Sequence, residues 1–470
     1  MDNAPEIWKH VDDNAPELIA LSDRVWGMPE TCYQEARSCA EHTAELKRQG
    51  FRVTENVAGI PTAVMGEAGE GGPVIAFLGE YDALPDLSQE AGVAEPRPLE
   101  KGANGHGCGH NMLGSAAMLA AIAVRDWLKE SGTAGRVRYY GCPGEEGGSA
   151  KTFMVRDGAF EDVDIAICWH PHSVCDVMVA ESLANSRIDF RFKGRASHAA
   201  ASPHLGRSAL DAVELMNVGV NYLREHVPTE SRIHYALIDA GGIAPNVVQA
   251  NATVRYLIRS PDLKGLLPLI ERVKKVANGA AMMTETTVEA HTLSAVANLL
   301  GNAPLEAAMR QHLEALGPPD FDDDDRAFAS AIQGTYGQEE ISDSLHMFGM
   351  DGVMPGPLCD RLVPADSPRL GISGSTDVGD VSWVVPTVQM WGATYAIGTP
   401  FHTWQMVTQG KNAAAHKGLV HAAKVMAAVG RQAILEPELI AAAKADLRQR
   451  TEKTPYVSPL PADLMPPLEM

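Results

Sequence analysis

Val74-Ile75-Ala76-Phe77-Leu78 is an unbroken apolar run that lies between Pro73 and Gly79. Two comparable runs follow, at residues 137–140 and 163–168, and each is bounded by glycine or polar residues. Short runs of this kind are typical of strands buried on both faces of a mostly parallel sheet. The alanine-rich stretch at 112–128 has helical character. The order strand, helix, strand therefore predicts an α/β fold, a large open sheet with flanking helices.

The pattern changes near residue 187. Residues 188–192 alternate apolar and polar side chains, as a half-exposed strand does. Helices are predicted next at 208–226 and 263–281, and strands at 233–237, 251–258 and 286–291. This β-α-β-β-α-β order predicts a small two-layer α+β domain of the ferredoxin-like kind. We therefore expect residues 187–297 to be a domain inserted into a larger one, which comprises residues 1–186 and 298–470.

Charge and cysteine usage exclude several classes of function. Asp and Glu number 60 against 39 Lys and Arg, a formal net charge of −21. Such a surface repels phosphate backbones and anionic lipid, so we expect neither nucleic-acid nor membrane partners. The N-terminus has no basic and apolar leader and the seven cysteines are scattered, which predicts a cytoplasmic protein. The acidic run at 320–325 follows a Gly-Pro-Pro turn and is predicted to be a solvated loop.

The first cluster of candidate metal ligands is at residues 104–111. Cys108 lies between His106 and His110 among three glycines, just before a predicted helix. Thiolate and imidazole groups bind zinc-like ions, and glycines let near neighbours in the chain converge on one point. The cluster alone is also compatible with a glycine-rich turn that carries incidental histidines.

Further candidates follow the other predicted buried strands. Glu145 and Glu146 come after the strand at 137–140, and His170 and His172 come after the strand at 163–168. Ligand sites in open parallel sheets form beyond the carboxyl ends of strands. One carboxylate could therefore bind a metal while the other moves protons, and His170 is a candidate ligand, with His172 as the second choice. His402 lies far downstream in the chain, and by itself it is weak evidence for a metal site.

Six motifs in a fixed order make a family resemblance specific. They are GHGCGHN (105–111), PGEEGG (143–148), WHPH (169–172), GRASHAAASP (194–203), PNVVQANATVRYLIR (245–259) and GTPFHTWQ (398–405). Together they resemble the dinuclear-metal aminoacylase and carboxypeptidase superfamily over nearly all of the chain. The resemblance is greatest to its branch of hydrolases that act on aminobenzoyl-glutamate and indole-acetyl amino acids.

The resemblance implies a role for each matching residue. The implied metal ligands are Cys108, as the bridge, with His110, Glu146, His170 and His402. Glu145 matches the general acid and base of catalysis. Asp82, in the loop 79–85, matches an aspartate that orients a metal ligand.

The inserted domain contributes further matching residues. His198 matches a histidine that reaches the active site of the partner subunit. Asn246 and Arg259 match polar residues that hold a substrate carboxylate or amide. Asn111 is a departure, because many relatives carry Asp there, and a neutral amide is a doubtful ligand.

The implied activity is hydrolysis of the amide bond of an N-acyl amino acid, with two divalent ions per chain, Mn²⁺ or Zn²⁺. p-Aminobenzoyl-glutamate is the first choice of substrate. A broader amidase or dipeptidase, or an indole-acetyl-amino-acid hydrolase, is the alternative. The alternative of another class is a catalytically silent regulatory or assembly subunit, which the presence of Glu145 and of all five ligands disfavours. The implied partner is a second copy of the chain, joined through the inserted lid or dimerisation domain, or a homologous sister subunit.

Overall fold

The computed structural model of the protein describes residues 4–353, 356–368 and 374–469. Its strands are β1 Arg52–Glu55, β2 Val64–Glu70, β3 Val74–Glu80, β4 Gly135–Cys142, β5 Ile165–His172, β6 Asp176–Val177, β7 Ala184–Lys193, β8 Arg232–Asp239, β9 Asn251–Ser260, β10 Thr287–Val296 and β11 Thr387–Ala393. Its helices are α1 Ala4–Trp26, α2 Ala36–Arg48, α3 His110–Ser131, α4 Ala150–Arg156, α5 Ala209–Leu223, α6 Leu263–Thr284, α7 Ala303–Leu316, α8 Asp323–Gln333, α9 Gln338–Met347, α10 Val378–Val384, α11 Trp404–Gln409, α12 Ala413–Leu435 and α13 Pro437–Thr451.

The larger sheet has a parallel centre. Within the described residues its strand order is β1-β2-β4-β3-β5-β11-β6. Strands β4, β3, β5 and β11 run parallel to one another, while β1, β2 and β6 pair antiparallel towards the edges. Strands β3 and β11 are buried along their whole length, as expected of strands covered on both faces.

Helices α3 and α12 pack against this sheet, and α1 packs on both helices. Alanine and glycine allow a close approach: a Cβ atom on Gly430 of α12 would lie 2.9 Å from the Phe77 ring of β3. The predicted α/β fold class with flanking helices is confirmed. Among the residues that the structure describes, no helix is both long and apolar enough to cross a membrane.

The smaller sheet is antiparallel, with the strand order β10-β7-β9-β8. Ile188, Phe190 and Phe192 of β7 are buried in a core shared with α5 and α6, which accounts for the alternation in the sequence. The chain order β7-α5-β8-β9-α6-β10 is the predicted β-α-β-β-α-β order. Arg187 lies on the opposite face of this sheet, because successive side chains of a strand alternate between the two faces.

The prediction of a solvated acidic loop at 320–325 is wrong, because this stretch begins helix α8. The Asp322 side chain accepts a hydrogen bond from the Asp325 backbone N–H, and the Asp325 carboxylate accepts one from the Asp322 N–H. This reciprocal capping satisfies two donors that a helix start leaves unpaired. Lys417 also pairs with both carboxylates, at 2.6 and 2.5 Å, so the acidic side chains stabilise the helix start.

Candidate metal centre

The carboxyl ends of the four parallel strands lie at one edge of the larger sheet. Asp82 follows β3, Glu145 and Glu146 follow β4, and His402 lies in the segment after β11. His170 is within β5, which continues to His172, and does not lie beyond the strand as the sequence pattern predicts. The parallel register thus brings residues from distant parts of the chain to the same edge.

Among the described residues, three groups of side chains at this edge could each hold a metal ion, and two of them share Cys108. One comprises Cys108, His110 and His170, and the other Cys108, Glu146 and His402. Within each group the potential ligand atoms lie within 4.8 Å of one another. Cys108 Sγ is 3.5 Å from His170 Nε2, and His402 Nε2 is 3.6 Å from Glu146 Oε1. These are the five residues to which the resemblance gives ligand roles.

Asp82 holds both groups in position. One of its carboxylate oxygens lies 2.8 Å from His110 Nδ1, and the other accepts a hydrogen bond of 2.8 Å from the backbone N–H of Glu146. An acceptor at Nδ1 fixes the tautomer in which Nε2 carries the free lone pair. Asp82 therefore leaves the lone pair of His110 Nε2 available to a metal ion and anchors the loop that carries the two glutamates.

Several buried atoms at this edge fit a metal ion better than they fit one another. His110 Nε2, Glu80 Oε2 and Glu146 Oε1 are buried, and none has a hydrogen-bond partner among the described residues. Glu80 Oε2 lies 3.3 Å from His110 Nε2. Buried polar groups are nearly always satisfied in folded proteins, so lone pairs that converge without a donor indicate a place for a cation. A set of thiolate, imidazole and carboxylate donors suits zinc or manganese.

Glu80 and Lys151 belong to the site although neither has a role predicted from the sequence. Lys151 is fully buried, and its Nζ lies 2.6 Å from both Glu80 Oε1 and Asp377 Oδ1. Burial alone would lower the pKa of Lys151, but these two carboxylates outweigh it and raise that pKa well above the usual value. A charged residue at the end of the buried strand β3 was an available signal for Glu80. No local pattern marks Lys151.

Glu145 belongs to the third group, with Glu80 and His110, and is not part of the pair that shares Cys108. Its carboxylate is within 4.8 Å of the potential ligand atoms of Glu80 and His110. Burial, together with the charges of Glu80 and Glu146, raises the pKa of Glu145 well above its ordinary value. The site thus concentrates negative charge, which divalent cations would neutralise.

The structure bears on two questions that the sequence left open: whether His170 or His172 is a metal ligand, and whether Asn111 is one. His172 lies outside both ligand groups, with its ring against Phe348, Trp391 and Phe401, so the geometry favours His170 as a ligand. Asn111 donates from Nδ2 to Ser22 Oγ and to the Gly410 carbonyl, at 3.0 Å each. Its amide therefore ties α1 to the segment after α11 and does not join the ligand groups.

The three site residues predicted in the inserted part of the chain are separated. Arg259 lines a cavity together with Glu145, Glu146 and His402. His198 and Asn246 are exposed and do not line that cavity. They lie next to each other, because the Ala199 N–H donates to the Asn246 carbonyl. Within one chain, only Arg259 of these three is brought to the candidate site.

Comparison with known proteins agrees with this geometry. The pattern of peptidase family M20/M25/M40 matches residues 76–357, and the chain belongs to this family. It is a hydrolase that acts on amide bonds.

Individual relatives show more specifically which members of the family the chain resembles. The chain is 47% identical to one of the p-aminobenzoyl-glutamate hydrolase subunits of Escherichia coli (strain K12), over 98% of this chain and 99% of the relative. It is 29% identical to a Xaa-Arg dipeptidase of Mus musculus, over 95% and 92% of the two chains. A dinuclear metal-binding M20 peptidase from Bacillus subtilis has the same fold, with a TM-score of 0.55 at 15% identity over 90% of this chain and 99% of that one.

Proposed function

We propose that the protein hydrolyses p-aminobenzoyl-glutamate, or a similar aromatic acyl conjugate of an amino acid, with two divalent metal ions. The observation that carries the proposal is the pair of ligand groups that share Cys108, with Glu145 beside them. The similarity over nearly the whole length to a p-aminobenzoyl-glutamate hydrolase subunit supports the choice of substrate. A broader amidase or an indole-acetyl conjugate hydrolase is the alternative.

The residues that would hold the ions are Cys108, which is common to both groups, with His110 and His170 in one group and Glu146 and His402 in the other. Zn²⁺ and Mn²⁺ both suit these donors. When bound, such ions polarise the amide carbonyl and lower the pKa of water towards neutrality.

Glu145 is the proposed proton carrier. It accepts a proton from the attacking water and then delivers that proton to the departing nitrogen, because an amine leaves poorly unless it is protonated. Its position within 4.8 Å of the potential ligand atom of His110 supports this role. Lys151 forms buried ion pairs with Glu80 and Asp377. This cluster lies next to Glu145, because the carboxylates of Glu80 and Glu145 are within 4.8 Å of each other.

His198 is the proposed oxyanion donor, supplied by a second copy of the chain. Its Nδ1 lies 3.3 and 3.1 Å from the backbone N–H groups of Ala200 and Ala201, which donate to it. In the neutral ring the proton is then on Nε2, which is the donor that a developing oxyanion needs. Since His198 is exposed and lies outside the cavity of its own chain, a partner's cavity is the proposed destination.

The exposed apolar side chains of the smaller sheet and its helix support a homodimer. Leu215, Val218 and Tyr222 are exposed along α5, and Tyr235 and Leu237 are exposed on the edge strand β8. Tyr235 and Leu237 pair in register with Tyr256 and Val254, whose side chains face the α5 side of the sheet. Exposed apolar side chains on and beside the edge strand of a sheet are typical of an association surface.

The test is hydrolysis by the purified protein after loading with Mn²⁺ or Zn²⁺. We expect release of p-aminobenzoate from p-aminobenzoyl-glutamate, with close to two ions bound per chain by metal analysis. Parallel assays use indole-acetyl-aspartate and unmodified dipeptides. Hydrolysis of the dipeptides alone would overturn the proposed substrate, and full activity with one ion or none would overturn the dinuclear centre.

A further inference from the structure

The cavity beside the candidate metal centre has two walls of opposite charge. Its volume is ≈ 270 Å³, enough for one small organic molecule and near the lower end of small-ligand sites. Glu145, Glu146 and Asp377 line one side. Arg187 and Arg259 line it from the smaller sheet. Arg187 has no role predicted from the sequence.

The strand register puts the two arginines on the same face of the sheet. Asn185 of β7 is opposite Arg259 of β9, and Arg187 is opposite Leu257. Arg187 and Arg259 are therefore diagonal neighbours, and diagonal neighbours in antiparallel strands are about 7–8 Å apart. Their side chains project from the face opposite to the one that packs against α5 and α6, and both line the cavity.

Neither arginine has a carboxylate partner within salt-bridge distance among the described residues. The next arginine on this face does have one: Arg255 forms a two-pronged ion pair with Asp189, at 2.7 and 3.1 Å. Arg187 donates only to the Gly147 carbonyl, at 3.4 Å, and Arg259 donates to Ser375 Oγ, at 3.0 Å. Both guanidinium groups thus keep donors for an anion.

The electrostatics of the pair agree with this lack of a direct salt bridge, although the charge of Asp189 partly offsets the pKa shift at Arg187. Burial and the charge of Arg255 lower the pKa of Arg187. Burial and the charge of Arg187 lower the pKa of Arg259. Two partly buried cations that repel each other are costly to maintain, and a dianionic ligand would relieve that cost.

We propose that Arg187 and Arg259 together bind the two carboxylates of a dicarboxylic leaving amino acid, one arginine for each carboxylate. The inference rests on the proposed function and restricts it to N-acyl derivatives of glutamate or aspartate. A guanidinium group matches a carboxylate with two parallel N–H···O bonds. An amide in place of either carboxylate leaves a partly buried cation without its counter-charge, and a cationic side chain is repelled.

The test compares three substrates: p-aminobenzoyl-glutamate and its two monoamides, in which either the side-chain or the α-carboxylate is an amide. The wild-type protein is expected to prefer the diacid over each monoamide by about 10- to 100-fold in kcat/KM. Arg187→Gln is expected to abolish the preference against one monoamide, and Arg259→Gln the preference against the other. Arg191→Gln is the matched control, because Arg191 is an exposed arginine on the same face of β7, and it should change neither preference.

Equal kcat/KM for all three substrates in the wild-type protein would overturn the inference. So would an equal loss on all three in Arg187→Gln. Calorimetric binding of free L-glutamate and L-glutamine separates this result from failure of the proposed reaction. Tighter binding of L-glutamate, lost in Arg187→Gln and kept in Arg191→Gln, supports the arginine pair even where no substrate is hydrolysed. Equal binding of the two amino acids overturns it.

Discussion

Glu145 and Glu146 are neighbours in the chain with different surroundings. Glu146 faces His402, and its backbone N–H is held by Asp82. The Glu145 carboxylate lies instead beside Glu80 and His110. A ligand role for Glu146 and a proton-carrying role for Glu145 account for both positions.

Removing the charge of Glu145 is therefore expected to affect turnover, and removing the charge of Glu146 is expected to affect metal binding. Glu145→Gln should retain the fold and the metal but lose ~10²–10⁴-fold in kcat, because the amide cannot carry a proton. Glu146→Gln should reduce metal content. Both quantities are measurable in one set of preparations, by steady-state kinetics and elemental analysis. Near-normal turnover in Glu145→Gln would remove that residue from the mechanism.

Lys151 lies between Glu80 and Asp377 in the buried cluster and pairs with both. Removing one partner of a buried ion pair leaves a charge without compensation, which typically costs about 3–5 kcal/mol. We expect Lys151→Met to lower the free energy of unfolding by about that amount, as measured by urea denaturation.

Lys47 provides the control, because it pairs with Glu55 at 2.5 Å on the surface. Exposed pairs contribute about 0–1 kcal/mol, so Lys47→Met should change the stability little. Equal effects of the two substitutions would show that the buried cluster contributes no more than a surface ion pair.

At the scale of elements, the exposed faces of α5 and β8 are the surface through which two chains are proposed to associate. Val218 and Tyr222 are 51% and 73% exposed, and large apolar side chains at this exposure are expected to be covered by a partner.

Val218→Lys combined with Tyr222→Lys should yield a folded monomer, detectable by light scattering. Its activity should fall about 10²–10³-fold, the usual cost of losing one oxyanion donor, because His198 of the partner is lost. The control is Met282→Lys combined with Met283→Lys, since these residues are also exposed but lie at the end of α6. A fully active monomer would contradict the shared site.

At the scale of the whole molecule, a shared site predicts complementation between two inactive chains. In a mixed dimer of Glu145→Gln and His198→Ala chains, one site receives both defects and the other receives neither. A two-fold dimer with random exchange of chains should then recover about a quarter of the sites. The measurement is activity after mixing, with chain exchange verified by mass spectrometry. No recovery after verified exchange would mean that His198 acts within its own chain or is not catalytic.

The sequence by itself determined the elements and the chemistry available to them. Buried runs such as residues 74–78 specify strands because burial on both faces requires continuous apolar residues. The alternation at 188–192 specifies a strand with one covered face. Ligand types after several of these strands predicted a metal site, because parallel strands end at a common edge. The acidic start of α8 is the exception, because in the sequence its capping residues after a Gly-Pro-Pro turn resemble a solvated loop.

Only the tertiary structure decided which side chains meet. It separated His170 from His172, turned Asn111 towards Ser22, and brought Lys151 and Arg187 to the site. These choices depend on strand register and on which face of a strand each residue occupies, because a shift of one residue reverses the face. Local patterns carry no information about a partner more than a hundred positions away. Lys151 stands out by its burial, and Arg187 by a charge without a salt bridge among the described residues. Neither property exists before the chain folds.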